Sequence, residues 1–224
     1  MLLPPKVDRQ PAPNLVNGIA AALATRFNTQ VNAVKPHLHA AQVQQWGKLR
    51  RIDSEDGDTM RASSLGTNRD DSRDATYVRV SQINCKVSSV SALTFVLLKY
   101  EMLVDVFERQ KRRKPKFQLR TFYGQLQHLC VINFNTATCI TLNLDDDSKT
   151  VILAAVRTCD IDVNNTAAEG LDIHYYSRTG GLHFGDATNV RCLVGRVKDG
   201  KRWAIIDRSG SLARGVYVDD DDDV

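Results

Sequence analysis

Apolar positions recur at helical spacing at Leu15, Ile19, Leu23 and Phe27, in an alanine-rich stretch that Asn14 is placed to cap. This predicts a short helix ending near Phe27. Ahead of it, four of the six prolines fall within the first 13 residues. Proline removes a backbone donor and fixes φ, so an unpaired opening is expected. From Thr29 to Arg73 polar residues dominate, and Ser54-Glu55-Asp56-Gly57-Asp58 and Asn68-Arg69-Asp70-Asp71-Ser72 read as loop. Residues 1–73 are therefore expected to be a largely disordered N-terminal segment carrying one helix.

The texture changes near Ala75-Thr76-Tyr77-Val78-Arg79, where β-branched and aromatic residues first cluster. Leu119 to Phe134, Ala137 to Leu144, Thr150 to Thr158, Val190 to Val197 and Trp203 to Asp207 then read as strands. Asp199-Gly200 accepts the positive φ of a tight type I′ turn, which predicts that Val190 to Val197 folds back on Trp203 to Asp207. Five to six short strands with few helices predict a mainly β fold. The expected architecture is a small SH3-like barrel spanning residues 74–210, since closure hides strand edges. Residues 211–224 are expected to form an acidic, disordered tail. No fixed internal period is present, which disfavours solenoids and propellers.

Composition sharpens this only in places. In 224 residues the formal charge is +4, but it is unevenly placed: Arg109, Lys111, Arg112, Arg113, Lys114 and Lys116 form a basic run, and Asp219 to Asp223 an acidic end. The five cysteines, Cys85, Cys130, Cys139, Cys159 and Cys192, are scattered without C-x-x-C spacing. They read as reduced, packed thiols of an intracellular chain. The longest apolar stretch, Val87 to Leu98, is interrupted by Ser88, Ser89, Ser91 and Thr94, and falls short of the ~20 residues of a membrane span. No membrane partner is expected.

Several sequence blocks carry a resemblance. Trp46-Gly47-Lys48-Leu49-Arg50-Arg51, Asp71-Ser72-Arg73-Asp74-Ala75-Thr76-Tyr77-Val78-Arg79, Thr121-Phe122-Tyr123-Gly124-Gln125-Leu126, Asn189-Val190-Arg191-Cys192-Leu193-Val194-Gly195-Arg196-Val197 and Arg202-Trp203-Ala204-Ile205-Ile206-Asp207-Arg208-Ser209 occur in order. Over Gln42 to Gly210 the chain resembles the C-terminal, non-catalytic region of transposon-encoded proteins of mushroom-forming fungi. It is similar in plan to the uncharacterised domain downstream of plant CACTA-type transposases. A looser similarity in strand order to the bromo-adjacent homology (BAH) domain implies a recognition module, by analogy of fold. The resemblance transfers no catalytic residue. It also implies that the strand at Val78-Arg79 should run directly into Tyr100-Glu101-Met102, whereas Val80 to Lys99 intervenes. Val80-Ser81 can be encoded by a splice donor, Leu93-Thr94 by a branch point and Lys99 by an acceptor, so residues 80–99 read as a translated, retained intron. The plainer alternative is a genuine buried strand or helix.

The basic run Arg109 to Lys116 is the candidate nucleic-acid-binding site, because clustered Lys and Arg neutralise phosphates and release counterions, or serve nuclear import. The plainer reading is a solvated connection. Phe117, Phe122, Tyr123, Tyr175 and Tyr176 are candidates for base stacking, although strand aromatics more often supply core. Trp203 reads as core or hairpin face. His37, His39, His128, His174 and His183 lack zinc-ligand spacing; His128 and Cys130 share a strand face, but two ligands do not close a site. No metal or other cofactor is expected. Asp145-Asp146-Asp147 reads as a hairpin loop and Gly180-Gly181 as a loop. No Walker, G-x-S-x-G or G-x-G-x-x-G pattern occurs. These readings converge on a non-enzymatic accessory or recognition module of a mobile-element-derived protein, nuclear, with DNA, chromatin or a transposase as partner. The alternative is a degenerate transposon relic without selected activity.

Overall fold

The computed structural model describes residues 1–8, 10–50, 59–65, 76–80, 103–105, 117–119, 122–145, 149–162 and 173–207. The basic run Arg109 to Lys116, the insert Val80 to Lys99 apart from Val80 itself, and the acidic end lie outside these residues.

The chain opens with strand β1 (Leu2–Asp8), then helix α1 (Pro13–Arg26), helix α2 (Val31–Ala40) and strand β2 (Gln42–Arg50). The expectation of a disordered N-terminal segment is thereby overturned. β1 pairs antiparallel with β2, Leu2 opposite Leu49 and Lys6 opposite Trp46, with the register shifting between Leu3 and Lys6. Pro4 and Pro5 occupy that shift. Proline lacks the ladder donor and is tolerated on an edge strand, which is where β1 lies. Gly47 makes the pairing sterically feasible, because a Cβ there would run into the Pro5 ring.

Helix α1 begins two residues earlier than expected, at Pro13, with Ala12 rather than Asn14 as its N-cap. Pro13 is pre-set for the first helical position, where its missing N–H costs nothing. The helix ends in a Schellman motif: Asn28 takes φ 49°, its N–H reaches Thr25 O at 3.3 Å, and Thr29 N–H reaches Ala24 O at 2.9 Å. Leu15, Ile19 and Leu23 are buried as the spacing predicts, joined by Val34 and Leu38 of α2.

Strands β3 (Thr59–Arg61), β4 (Tyr77–Val80), β5 (Leu103–Asp105), β6 (Phe117–Leu119) and β7 (Phe122–Asn133) follow. Next come helix α3 (Thr136–Thr141) and strands β8 (Thr150–Ile161), β9 (Ile173–Asp186), β10 (Val190–Leu193), β11 (Gly195–Asp199) and β12 (Arg202–Ile206). The fold is mainly β. Ten strands form one antiparallel sheet whose main path runs β1-β2-β7-β8-β9-β12-β11, without closing among the described residues, and β5-β6 form a separate ladder. The sheet forks at β7: Leu129–Asn133 pair with β2, Phe122–Gln125 with β4, and β4 in turn with β10.

Both faces of the sheet are buried. Leu153 packs with Ile19, Leu23, Ile132 and Phe184 under the helices, while its neighbour Ala154 packs on the opposite side with Met60, Val78, Leu126 and Leu129. This is the alternation a strand imposes. A third cluster, Tyr77, Tyr123, Cys159, Tyr176, Val194 and Ile205, fills the end of the sheet nearest β12.

Four local expectations change. Ala137 to Leu144 is helix rather than strand: Asn135 Oδ1 accepts the Thr138 N–H at 2.8 Å, and Asn143 at φ 50° closes the helix. Val190 to Val197 is broken at Val194, whose N–H turns to Tyr77 O at 3.1 Å, so only Gly195–Asp199 forms the predicted hairpin with Arg202–Ile206. Of its two turn residues, Gly200 and Lys201, Gly200 alone has positive φ, 58°, which fits type II′ rather than I′. Gly180-Gly181 lies inside β9, opposite a register shift in β8 between Arg157 and Cys159. A Cβ on Gly180 would stand 2.5 Å from Thr158 Oγ1, so the bulge needs glycine there.

Candidate functional site

Two constellations of polar side chains stand out among the described residues. The first is an open depression of about 730 Å³ where the start of β1, the end of β2, the end of α1, the start of β8 and the β9–β10 connection meet. Among the described residues its wall is lined by Arg26, Arg50 and Arg191 with one acid, Asp186, and by the partly exposed Leu2 and Ile152 and the buried Leu49 and Val190.

Each arginine is placed by local structure. Arg26 closes α1, where the helix dipole favours a cation, and forms an ion pair with Asp186. Asp186 also takes the Thr188 N–H at 3.0 Å and the Thr188 hydroxyl at 2.7 Å, holding the short 3-10 turn Ala187–Asn189. Arg50 ends β2, its N–H bonded to Met1 O at 2.8 Å. Arg191 is the extra residue of a bulge, between Val190, which faces Val80, and Cys192, which faces Arg79. A bulge re-aims its side chain, here into the wall of the depression. The arrangement can hold an anion: guanidinium groups bind phosphate and carboxylate through planar paired donors.

The second constellation binds the far end of the sheet. The Asp207 carboxylate, with no exposed side-chain surface, accepts from Arg79 Nη1 at 3.3 Å and from the Tyr123 hydroxyl at 3.0 Å. That hydroxyl also lies 3.0 Å from His174 Nε2. A phenol has one proton, so with it given to Asp207 the His174 ring donates from Nε2. This leaves His174 no basic lone pair toward Tyr123, and the cluster acts as a tie between β4, β7, β9 and the end of β12. Beside it, Arg196 is stacked between Tyr77 and Trp203, its guanidinium carbon 4.2 and 4.1 Å from the ring centroids, and Nη1 donates to the Tyr77 hydroxyl at 2.6 Å. Burial raises the Tyr176 hydroxyl above the ordinary phenol value and pushes the Cys159 thiol up to about 11. Burial likewise pushes Cys130 up to about 12 and lowers His128 and His183.

The residues singled out from sequence distribute as follows. The basic run Arg109, Lys111, Arg112, Arg113, Lys114 and Lys116 and the side chain of Phe117 are outside the described residues. Tyr123 and Tyr176 are buried in the third cluster, with Trp203 packed against it, and Phe122 packs on the second. Tyr175 lies under the Arg202 guanidinium at 4.5 Å. His37 and His39 sit on α2, and no group of three or more metal-ligating side chains occurs among the described residues. Arg26, Arg50 and Arg191 escaped sequence reasoning because they are far apart along the chain and share no spacing. No family model matches this chain, and neither a curated protein nor a solved structure matches it.

Proposed function

We propose that this chain is a non-enzymatic recognition module, part of a mobile-element-derived nuclear protein, that binds nucleic acid through its arginine-walled depression. The observation that carries the reading is the charge of that wall, three arginines against one aspartate. Phosphate backbones supply the complementary anion at regular spacing. The basic run Arg109 to Lys116, outside the described residues, would supply further phosphate contacts, and chromatin or a transposase would bring the module to its site. The finer architecture belongs to this proposal: β3 and β10 lie side by side, which suits an SH3-like or BAH-like curl of β2, β3, β10, β4 and β7.

Fluorescence anisotropy of the full chain with labelled DNA across a salt series tests the reading. Arg50→Ala/Arg191→Ala should weaken binding, and the slope of log K against log salt should shrink by about 1.4 to 1.8, the loss of two phosphate contacts. Arg112→Ala/Arg113→Ala tests the basic run in the same way. A folded chain that does not bind at low salt, or a double variant with an unchanged slope, overturns the proposal. A chain without a cooperative unfolding transition would favour the relic.

A further inference from the structure

The depression is not only basic. The partly exposed Leu2 and Ile152, with the buried Leu49 and Val190 of the core, give its lining an apolar part, here called its floor, and the recess opens outward. We infer that it takes an unstacked nucleotide of a single-stranded nucleic acid, the base lying on the apolar floor and the flanking phosphates on Arg26, Arg50 and Arg191. This rests on the nucleic-acid reading above and narrows it to one class of strand.

Three features favour a single strand over a duplex. A duplex offers phosphates but keeps its base faces stacked inside, so it could satisfy the rim and leave the floor wet; a single strand can present both. The recess of about 730 Å³ lies in the range of sites that take one small group, about 300–1,000 Å³. The arginines arise from three separate elements, the end of α1, the end of β2 and the bulge of β10. All three line the one recess. Guanidinium planes add stacking surface of their own. The competing ligand with an anionic head and an apolar body is a lipid, but an open recess would leave an acyl chain half in water.

The test uses the full chain with labelled oligothymidylate of about twelve nucleotides, within the site sizes of such proteins. It is run beside a mixed-sequence duplex of equal length and phosphatidylcholine vesicles carrying phosphatidylserine. The single strand should bind about tenfold or more tighter than the duplex. Ile152→Thr keeps a β-branched strand residue, and it should weaken single-strand binding about fivefold or more with the salt slope unchanged, whereas Arg50→Ala should reduce the slope. Thermal unfolding of both variants checks that the fold is intact, and Leu2→Ser gives a second floor change should Ile152→Thr lose it. Equal binding of both DNA forms, with the floor variants silent and the arginine variants weak, overturns this inference and leaves the electrostatic reading standing. No DNA binding at all overturns both. Vesicle binding stronger than oligonucleotide binding overturns it in favour of an anionic lipid surface.

Discussion

The tie at Asp207 should make two conservative substitutions unequal. The carboxylate has no exposed side-chain surface, whereas Arg79 keeps 32% of its side chain in contact with solvent. Arg79→Met removes the cation and leaves a buried anion with the Tyr123 hydroxyl as a neutral donor. Removing the cation from a buried charge pair costs about 3–5 kcal/mol; the Tyr123 bond that stays and the partial exposure of Arg79 place this case near the lower end, about 3 kcal/mol. Asp207→Asn instead removes the anion but keeps an acceptor oxygen for Tyr123, and the partly exposed Arg79 side chain keeps its solvent contact. A loss of about 1–2 kcal/mol is expected. Urea unfolding of wild type, both variants and the double variant gives the four corners of a cycle, with a coupling near 2 kcal/mol. In a melting scan, Arg79→Met should fall by about 6–12 °C, at about 2–4 °C per kcal/mol for a chain of this size. If Asp207→Asn proves as costly as Arg79→Met, or the coupling vanishes, the asymmetric-burial argument is refuted.

Three further outcomes follow from the packing. A Cβ on Gly124 would stand 2.5 Å from Arg157 O and 2.6 Å from Val156 Cγ1, so Gly124→Ala should cost about 2 kcal/mol or more. Gly195→Ala, whose nearest contact is 3.5 Å, should stay within about 0.5 kcal/mol in the same urea assay. Burial lowers His128 and His183, so the unfolded chain takes up protons first; their contribution is fully present above the ordinary imidazole value of 6.5 and is lost as pH falls through the lower folded values. His128→Gln should flatten the decline of unfolding free energy between about pH 7 and 5, and a stability that rises with acid across that window would contradict this. With thiols pushed up to about 12 and about 11, Cys130 and Cys159 should resist maleimide in the folded chain while the partly exposed Cys139 reacts; peptide mass spectrometry before and after urea reads the difference.

The pattern was readable where one physical signal dominated. Thr150 to Thr158 is β-branched and apolar and is strand from Thr150 to Ile161. Leu15, Ile19 and Leu23 recur at helical spacing and are buried. Asp199-Gly200 marks the final hairpin, although the turn centre sits one residue later. Elsewhere two signals disagreed. β2 alternates as a strand should, with Val43, Gln45, Gly47 and Leu49 buried, but a glutamine and a glycine in two of those places make it read as polar loop. β1 carries prolines that argue against a strand, and only the edge position, a tertiary fact, admits them. In Thr136 to Thr141 the β-branched residues favour strand, yet the Asn135 cap and the Asn143 terminator decide for helix.

The candidate site was hidden for a different reason. A basic run is visible in sequence because its charges are neighbours; the wall of the depression is assembled from a helix end, a strand end and a bulge that only the β2-β7-β8-β9 sheet and its β4-β10 branch bring together. Arg191 sits in a sequence stretch that reads as one continuous strand, so nothing marks it until the register shift between Val190 and Cys192 is known. The two basic features then predict different physics. A run of adjacent lysines and arginines can follow any phosphate backbone, whereas guanidiniums held around an apolar recess discriminate by what lies between the phosphates. Affinity that tracks charge alone belongs to the first, and affinity that also tracks Ile152 belongs to the second.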